Sequence, residues 1–346
     1  MANASLTADQ FLDPRWRLSN LYYITDKTGT KIKFEPNESQ LAFLDETTAL
    51  NIILKARQLG FTTLCCLIYL DACLFHPNTR AGVIAHRLDD AKVIFRDKIK
   101  FPYDSLPDQL KERIRSTQDS ADTLTFSNNS SIRVSTSMRS GTLQYLHVSE
   151  FGKICAQFPE KAHEIVTGAL NAVAPGQFVV IESTAEGQEG AFFDMTSRAI
   201  EMKNSGAVLT EMDYSFHFHP WYRDQTYRLN PSGVTITEED ERYFDSLTAK
   251  GIALDDWQKA WYIKKDVTQA GDMKREFPSF PEEAFEQALE GAYFSVEMDV
   301  AYKQQRVGGF PVDPRYPVNT FWDLGRNDLN TIWLHQYISG HHRFVG

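Results

Sequence analysis

Short apolar runs recur along the first part of the chain, separated by stretches in which apolar positions return every three or four residues. The runs at 51–54, 81–86, 143–148, 178–183 and 208–218 read as strands, and 62–75, 88–99, 160–170 and 190–203 as helices. Strands alternating with helices predict a mainly parallel sheet in an α/β fold. Between the second and third strands, Leu124-Thr125-Phe126 and Ile132-Arg133-Val134 read as a hairpin turning on Ser127-Asn128-Asn129-Ser130. Beyond Pro220 the pattern changes. Residues 221–310 are rich in charge and in aromatics such as Trp221, Tyr222, Trp257, Trp261 and Tyr262, with helical periodicity at 238–247 and 255–265. They predict a small, mostly helical linker subdomain. Gly308-Gly309 and Pro311, Pro314 and Pro317 then mark a boundary. After it Thr320-Phe321-Trp322-Asp323-Leu324-Gly325 begins a new strand, with 331–337 as its hairpin partner. The expected organisation is 1–220, 221–314 and 315–346.

Composition refines this picture only a little. At 346 residues the chain has room for roughly two domains, and its 42% hydrophobic and 24% charged content is that of a globular protein. No apolar run approaches the ~20 residues of a membrane helix; the segment 64–70 stops at Asp71. The N-terminus has neither a basic region nor an apolar core, which argues against secretion. Cys65, Cys66, Cys73 and Cys155 contain no C-x-x-C pair, so they are expected as small buried residues in a reducing compartment. A net charge of −10 argues against a surface coated for nucleic acid but leaves room for a local basic groove.

The candidate chemistry starts at Lys55-Ala56-Arg57-Gln58-Leu59-Gly60-Phe61-Thr62-Thr63. A buried strand, a tight turn at Gly60 and a helix present backbone N–H groups to a phosphate. Thr62, in the first helical turn, is placed to hold Mg²⁺, while Lys55 or Arg57 neutralises phosphate charge. The usual pattern is G-x-x-x-x-G-K-[ST]; here Phe61 stands at the lysine position and the first glycine is absent. Without further signals the segment is equally an ordinary strand–turn–helix.

A phosphate loop needs a second strand ending in a carboxylate that reaches the metal or activates water. Residues 143–150 end in Glu150, at the end of the strand where open α/β sheets keep their sites. Glu182-Ser183-Thr184-Ala185-Glu186-Gly187 ends another buried strand with two hydroxyls and a glycine, a loop able to sense a γ-phosphate and swing on Gly187, or a plain turn. His217 and His219 alternate on one strand face without a third ligand nearby, which favours a half-buried strand over a metal site. His341-His342 reads as a loop.

These pieces, in this order, resemble the large terminase subunit of tailed bacteriophages, the DNA-packaging ATPase. The match covers residues 40–190: Arg57-Gln58-Leu59-Gly60 with Thr62-Thr63 is similar to its Walker A segment, in a deviant form whose lysine, here Lys55, opens the loop. Val148-Ser149-Glu150-Phe151 resembles its Walker B strand and catalytic glutamate, with Ser149 in place of the usual aspartate. Residues 183–187 resemble its coupling motif, with Ser183, Thr184, Glu186 and Gly187 at the matching positions.

The resemblance implies a three-layer P-loop NTPase core that binds ATP and Mg²⁺ with Lys55, Arg57, Gln58, Gly60, Thr62 and Thr63. Gln40 would read the adenine, although Asn37 and Gln40 are also spaced as a helix cap and its capping-box partner. Arg139 would act on the γ-phosphate, or be a solvated loop residue. Asp323, with Asp328, resembles the first strand of a ribonuclease-H-like nuclease using Mg²⁺ or Mn²⁺. Two-metal nucleases gather several carboxylates about ions ~4 Å apart, so a chain ending at Gly346 is expected to carry an incomplete site and not to cut DNA. Implied partners are double-stranded DNA, a portal protein, a small terminase subunit and copies of the chain in a ring, in the host bacterial cytoplasm. Two rivals stand beside this reading: an inactive prophage fragment, and a helicase-like P-loop translocase.

Overall fold

Ile52, Ile53 and Leu54 are all fully buried, although successive residues of a strand point to opposite faces. Their strand must therefore be covered on both sides, and the fold is built around that requirement. The structure, a computed structural model, describes residues 11–138, 141–285, 301, 304, 306–309, 311–323 and 331–345. The chain divides into two compact units, Met1–Ala288 and Leu289–Gly346.

In the first unit a small antiparallel hairpin, β1 (Tyr23–Thr25) and β2 (Lys31–Lys33), precedes an eight-stranded sheet. The sheet strands are β3 (Leu50–Lys55), β4 (Arg80–Ile84), β5 (Ser116–Asp119), β6 (Thr123–Phe126), β7 (Ser131–Ser135), β8 (Leu143–Ser149), β9 (Val173–Ser183) and β10 (Ser215–His219). Their spatial order is β10-β3-β9-β8-β4-β7-β6-β5. Pairing is parallel from β10 to β7 and antiparallel at the β7-β6-β5 end. The principal helices are α1 (Pro14–Leu21), α2 (Glu38–Glu46), α3 (Phe61–Phe75), α4 (Leu88–Phe95), α5 (Phe151–Gln157), α6 (Ala191–Ser205), α7 (Glu238–Ala249) and α8 (Asp256–Gln269).

Two cores result, one on each face. Ile53, Val83 and Val180 pack with Leu64 and Leu67 of α3 on one side. Ile52, Leu54, Val148 and Ile181 pack with Phe151 and Phe192 on the other. This is the mainly parallel α/β arrangement that the pattern predicts, in the three layers that the resemblance implies. The four cysteines are free and buried, as expected.

The segment 221–285 does not build a separate core. Trp221, Tyr227, Phe244, Leu247, Tyr262, Met273 and Phe277 join the α3 face, with Trp261 stacked between Trp221 and Tyr227.

Three local expectations need correction. The expected strand 208–218 is limited to Ser215–His219, because Asp213 accepts hydrogen bonds from the backbone and hydroxyl of Thr210 and closes a turn instead. The expected helix 88–99 widens into a π-turn at Arg96–Lys100. It does so just before Pro102, which has no N–H and crowds the preceding turn. His341 and His342 are strand residues, not a loop.

Those histidines belong to the second unit, where β11 (Asn319–Asp323), β12 (Thr331–Ile338) and β13 (His341–Val345) form an antiparallel sheet in that order. Ser339 and Gly340 both have positive φ, at 50° and 86°, as a two-residue hairpin turn requires. They pair His341 with Ile338 and His342 with Tyr337.

Candidate functional site

β3 delivers the chain to the site. After Lys55 the backbone turns through Gln58 and Gly60, both left-handed with φ of 61° and 76°, and enters α3 at Phe61. Glycine suits this position for a second reason: a Cβ on Gly60 would stand 2.8 Å from Gln40 Nε2. The loop therefore has the predicted strand–turn–helix form, and Phe61, Thr62 and Thr63, at the start of α3 where backbone N–H groups lack intrahelical partners, line the cavity it borders. That cavity has a volume of about 820 Å³, and Lys27, Lys55, Arg57, Lys98 and Lys153 outnumber Asp26, Asp90 and Glu150 among its lining residues.

Lys55 is buried at the end of β3 with its ammonium 3.2 Å from Glu150 Oε1 and 3.1 Å from Glu182 Oε2. Burial alone disfavours its charge, but the two carboxylates outweigh burial and hold the ammonium above its ordinary pKa. Glu150 follows β8 in a left-handed conformation, φ 55°, which turns its carboxylate back toward Lys55. Its other oxygen lies 3.2 Å from Lys153, one turn along α5. Lys55 and Glu150, found separately in the sequence, thus meet.

Thr62 occupies the first turn of α3. Its hydroxyl donates to Glu182 Oε1 at 3.0 Å and lies 3.3 Å from Ser149 Oγ. Ser149 donates to the same carboxylate oxygen at 2.8 Å, and His147 Nε2 lies 3.4 Å away. Burial pushes the Glu182 carboxyl up, but Lys55, His147 and the Ser149 hydroxyl outweigh it and hold the group well below the ordinary carboxylate range. Glu182 had no assigned role in the sequence reading. The available signal was a carboxylate at the end of an otherwise apolar strand, which is costly unless partnered.

Other predicted residues separate into distinct roles. Gln40 forms a capping box with Asn37 at the start of α2, and its side-chain amide faces the carbonyls of Gly60 at 2.9 Å and Leu59 at 3.4 Å. The Gln40 side chain thus holds the loop as well as capping α2. Thr63 lines the same cavity, and its hydroxyl accepts from Lys98 at 2.7 Å. Arg57 reaches Glu276 at 2.8 Å, and Tyr227 donates to the Arg57 carbonyl. Gln58 is exposed at the loop tip.

The hydroxyls of Ser183 and Thr184 are buried without hydrogen-bond partners among the described residues. α5 lies against them: a Cβ on Gly152 would stand 2.8 Å from the Thr184 carbonyl and 2.9 Å from Ser183 Oγ. Gly152 thus brings the helix after Glu150 into direct contact with the loop at 183–187. Glu186 is paired with Arg275 at 2.9 Å, and Gly187 has φ 84°. Arg275 and its neighbour Glu276 therefore tie both loops to one segment. Sequence reasoning missed this link, whose members lie far apart in the chain.

His217 and His219 are buried in β10: His217 Nε2 meets Asn51 Oδ1 at 3.1 Å, and His219 packs 4.6 Å from the Phe61 ring. Among the described residues no group of three or more His, Cys, Asp or Glu side chains is arranged to hold a metal ion alone. Arg139 and Asp328 lie outside the described residues, and Asp323 is the final residue of β11.

Thr62 and Glu182 nevertheless offer hard oxygen atoms beside a phosphate-type loop, the donor set that suits Mg²⁺. Mg²⁺ takes few protein ligands and completes its shell with water and phosphate, so the residues present fit that ion.

No known family profile matches the sequence, and no curated protein is significantly similar to it. Among solved structures the chain is similar to the ATPase domain of the Thermus phage P74-26 large terminase, at 14% identity and a TM-score of 0.44, over 70% of this chain and 93% of that one. It is also similar to the large terminase of a second, thermophilic bacteriophage, at 11% identity and a TM-score of 0.40, over 90% of this chain and 69% of that one. That second terminase in complex with ATP-gamma-S matches at 12% identity and a TM-score of 0.40, covering 90% and 68% of the two chains.

Proposed function

We propose that this chain is a P-loop ATPase of the terminase type, hydrolysing ATP to drive double-stranded DNA into a phage prohead. The observation that carries the proposal is the convergence of Lys55, Thr62 and Glu150 at the ends of β3 and β8. A loop with backbone N–H groups, a buried ammonium, a helix-N-terminal hydroxyl and a strand-end glutamate together make up the parts that phosphoryl transfer to water requires.

In this reading the triphosphate lies along residues 55–63. Lys55 supplies positive charge from the loop's start, replacing the lysine absent at Phe61. Thr62 would hold Mg²⁺, which when bound neutralises charge on the phosphate oxygens. Glu150 orients and polarises the attacking water. Because α5 touches Ser183 and Thr184 through Gly152, movement at Glu150 is transmitted to the 183–187 loop and, through Glu186 and Arg275, to the segment after α8. DNA, a portal protein, a small terminase subunit and a ring of like subunits are the partners this function calls for. Among the described residues no helix is long and apolar enough to cross a membrane.

The test is ATP turnover by the purified chain with and without double-stranded DNA. DNA-stimulated hydrolysis that requires Mg²⁺ supports the proposal. Intact folding with neither nucleotide binding nor hydrolysis would overturn it in favour of an inactive fragment.

A further inference from the structure

In P-loop NTPases the metal is held jointly by the loop's Ser/Thr and a carboxylate at the end of the neighbouring strand. Here β8 ends in Ser149, whose side chain cannot carry negative charge. The carboxylate hydrogen-bonded to Thr62 comes instead from β9: Glu182 lies directly opposite Ser149 in the sheet and opposite Ile53 in β3. Its Oε1 accepts from both Thr62 and Ser149, and the residue is completely buried. We propose that Glu182 is the metal-positioning carboxylate of this site, acting through Thr62 and Ser149 from the strand beside the one that ordinarily supplies it.

A simpler role, counter-ion to Lys55, leaves two features unexplained. Lys55 already has Glu150 at 3.2 Å, and the oxygen of Glu182 that receives the two hydroxyls is not the one facing the lysine. A fully buried carboxylate is expensive. Placed behind a phosphate loop, it also repels the phosphates unless a cation stands between them. Glu182 should therefore make nucleotide binding depend on the metal, and this signature separates the two roles.

The inference rests on the ATPase reading, and the experiment keeps the two apart. The affinity of a fluorescent ATP analogue is measured for wild type, Glu182→Gln and Ser149→Asp/Glu182→Gln, each with Mg²⁺ and with EDTA, after thermal melts confirm folding. In wild type, Mg²⁺ should tighten binding. In Glu182→Gln the gain from Mg²⁺ should shrink by about 10–100-fold, the usual cost of removing an outer partner of a metal ligand, while metal-free binding is equal or tighter. Ser149→Asp/Glu182→Gln, which returns a carboxylate to the β8 position, should recover the gain.

If Glu182→Gln keeps the wild-type gain, or weakens binding equally with and without Mg²⁺, Glu182 is only a counter-ion and the inference fails alone. If wild type binds no nucleotide under either condition, the ATPase reading itself fails. Should Glu182→Gln not fold, the double variant decides, since it retains the charge that balances Lys55; a folded double variant without a Mg²⁺ gain overturns the proposal.

Discussion

Lys55 and Glu150 form an ion pair at 3.2 Å across the ends of β3 and β8. The pair fixes both groups at the rim of the same cavity. Glu150→Gln keeps the shape and removes the basic oxygen. ATP binding should persist while turnover falls by at least ~100-fold, the lower range for a positioned general base. Equal turnover in variant and parent, measured by phosphate release, would remove Glu150 from this role.

The unusual loop makes a second, opposed pair of variants informative. Phe61, at the position where a lysine ordinarily stands, is 1% exposed and packs against Phe43 and His219. Phe61→Ala should act through the core, lowering stability by about 3 kcal/mol or more. Lys55→Ala should instead weaken nucleotide binding more than Phe61→Ala does, besides leaving Glu182 without its cation. Titration of a fluorescent nucleotide against both folded variants checks the order, and a larger loss at Phe61 means the phosphate contacts lie elsewhere.

Asp71 interrupts the apolar face of α3, and the reason is a buried pair: Arg17 Nη2 lies 2.7 Å from Asp71 Oδ2, and Tyr22 donates to Oδ1 at 2.8 Å. Removing one member leaves the other charged and buried. Asp71→Ala should destabilise the first unit by about 3–5 kcal/mol, read as a shift in the urea midpoint. A change within error would mean that water reaches Arg17 in the folded protein.

The buried histidines of β10 predict an acid-sensitive fold. Burial, then Lys203, pushes His217 from 6.5 down to about 4. Burial, then His217, pushes His219 from 6.5 down to about 3. As pH falls below 6.5, the unfolded chain takes up protons that the folded chain refuses, so stability present above that pH is lost on acidification. The loss should be on the order of 2 kcal/mol per histidine near pH 5. Other groups titrate in the same window, so the comparison is between wild type and His217→Gln/His219→Gln. Denaturant melts near pH 7 and pH 5 should show a smaller acid loss in the double variant; parallel loss in both would exclude these side chains as its source.

Much of the site was legible before folding because its parts are local. The turn at Gly60, the hydroxyl one residue into α3, and Glu150 at the end of an apolar strand are each specified by neighbouring residues. So is the capping box of Asn37 and Gln40. The overlong strand expected at 208–214 was also a local matter: the competing bond from Thr210 to Asp213 is invisible to hydrophobic periodicity.

The sequence by itself determined most of the segments that become strands and helices and where the loop bends, because backbone conformation responds to the identities of adjacent residues. Only the tertiary structure decided that Glu182, 120 positions beyond Thr62, accepts a hydrogen bond from it. The same holds for Glu276, which grips Arg57 from 219 positions away. Both pairings depend on strand order and on how the segment after α8 packs over α3. Those are settled by the joint burial of distant apolar faces, so no local pattern announces them.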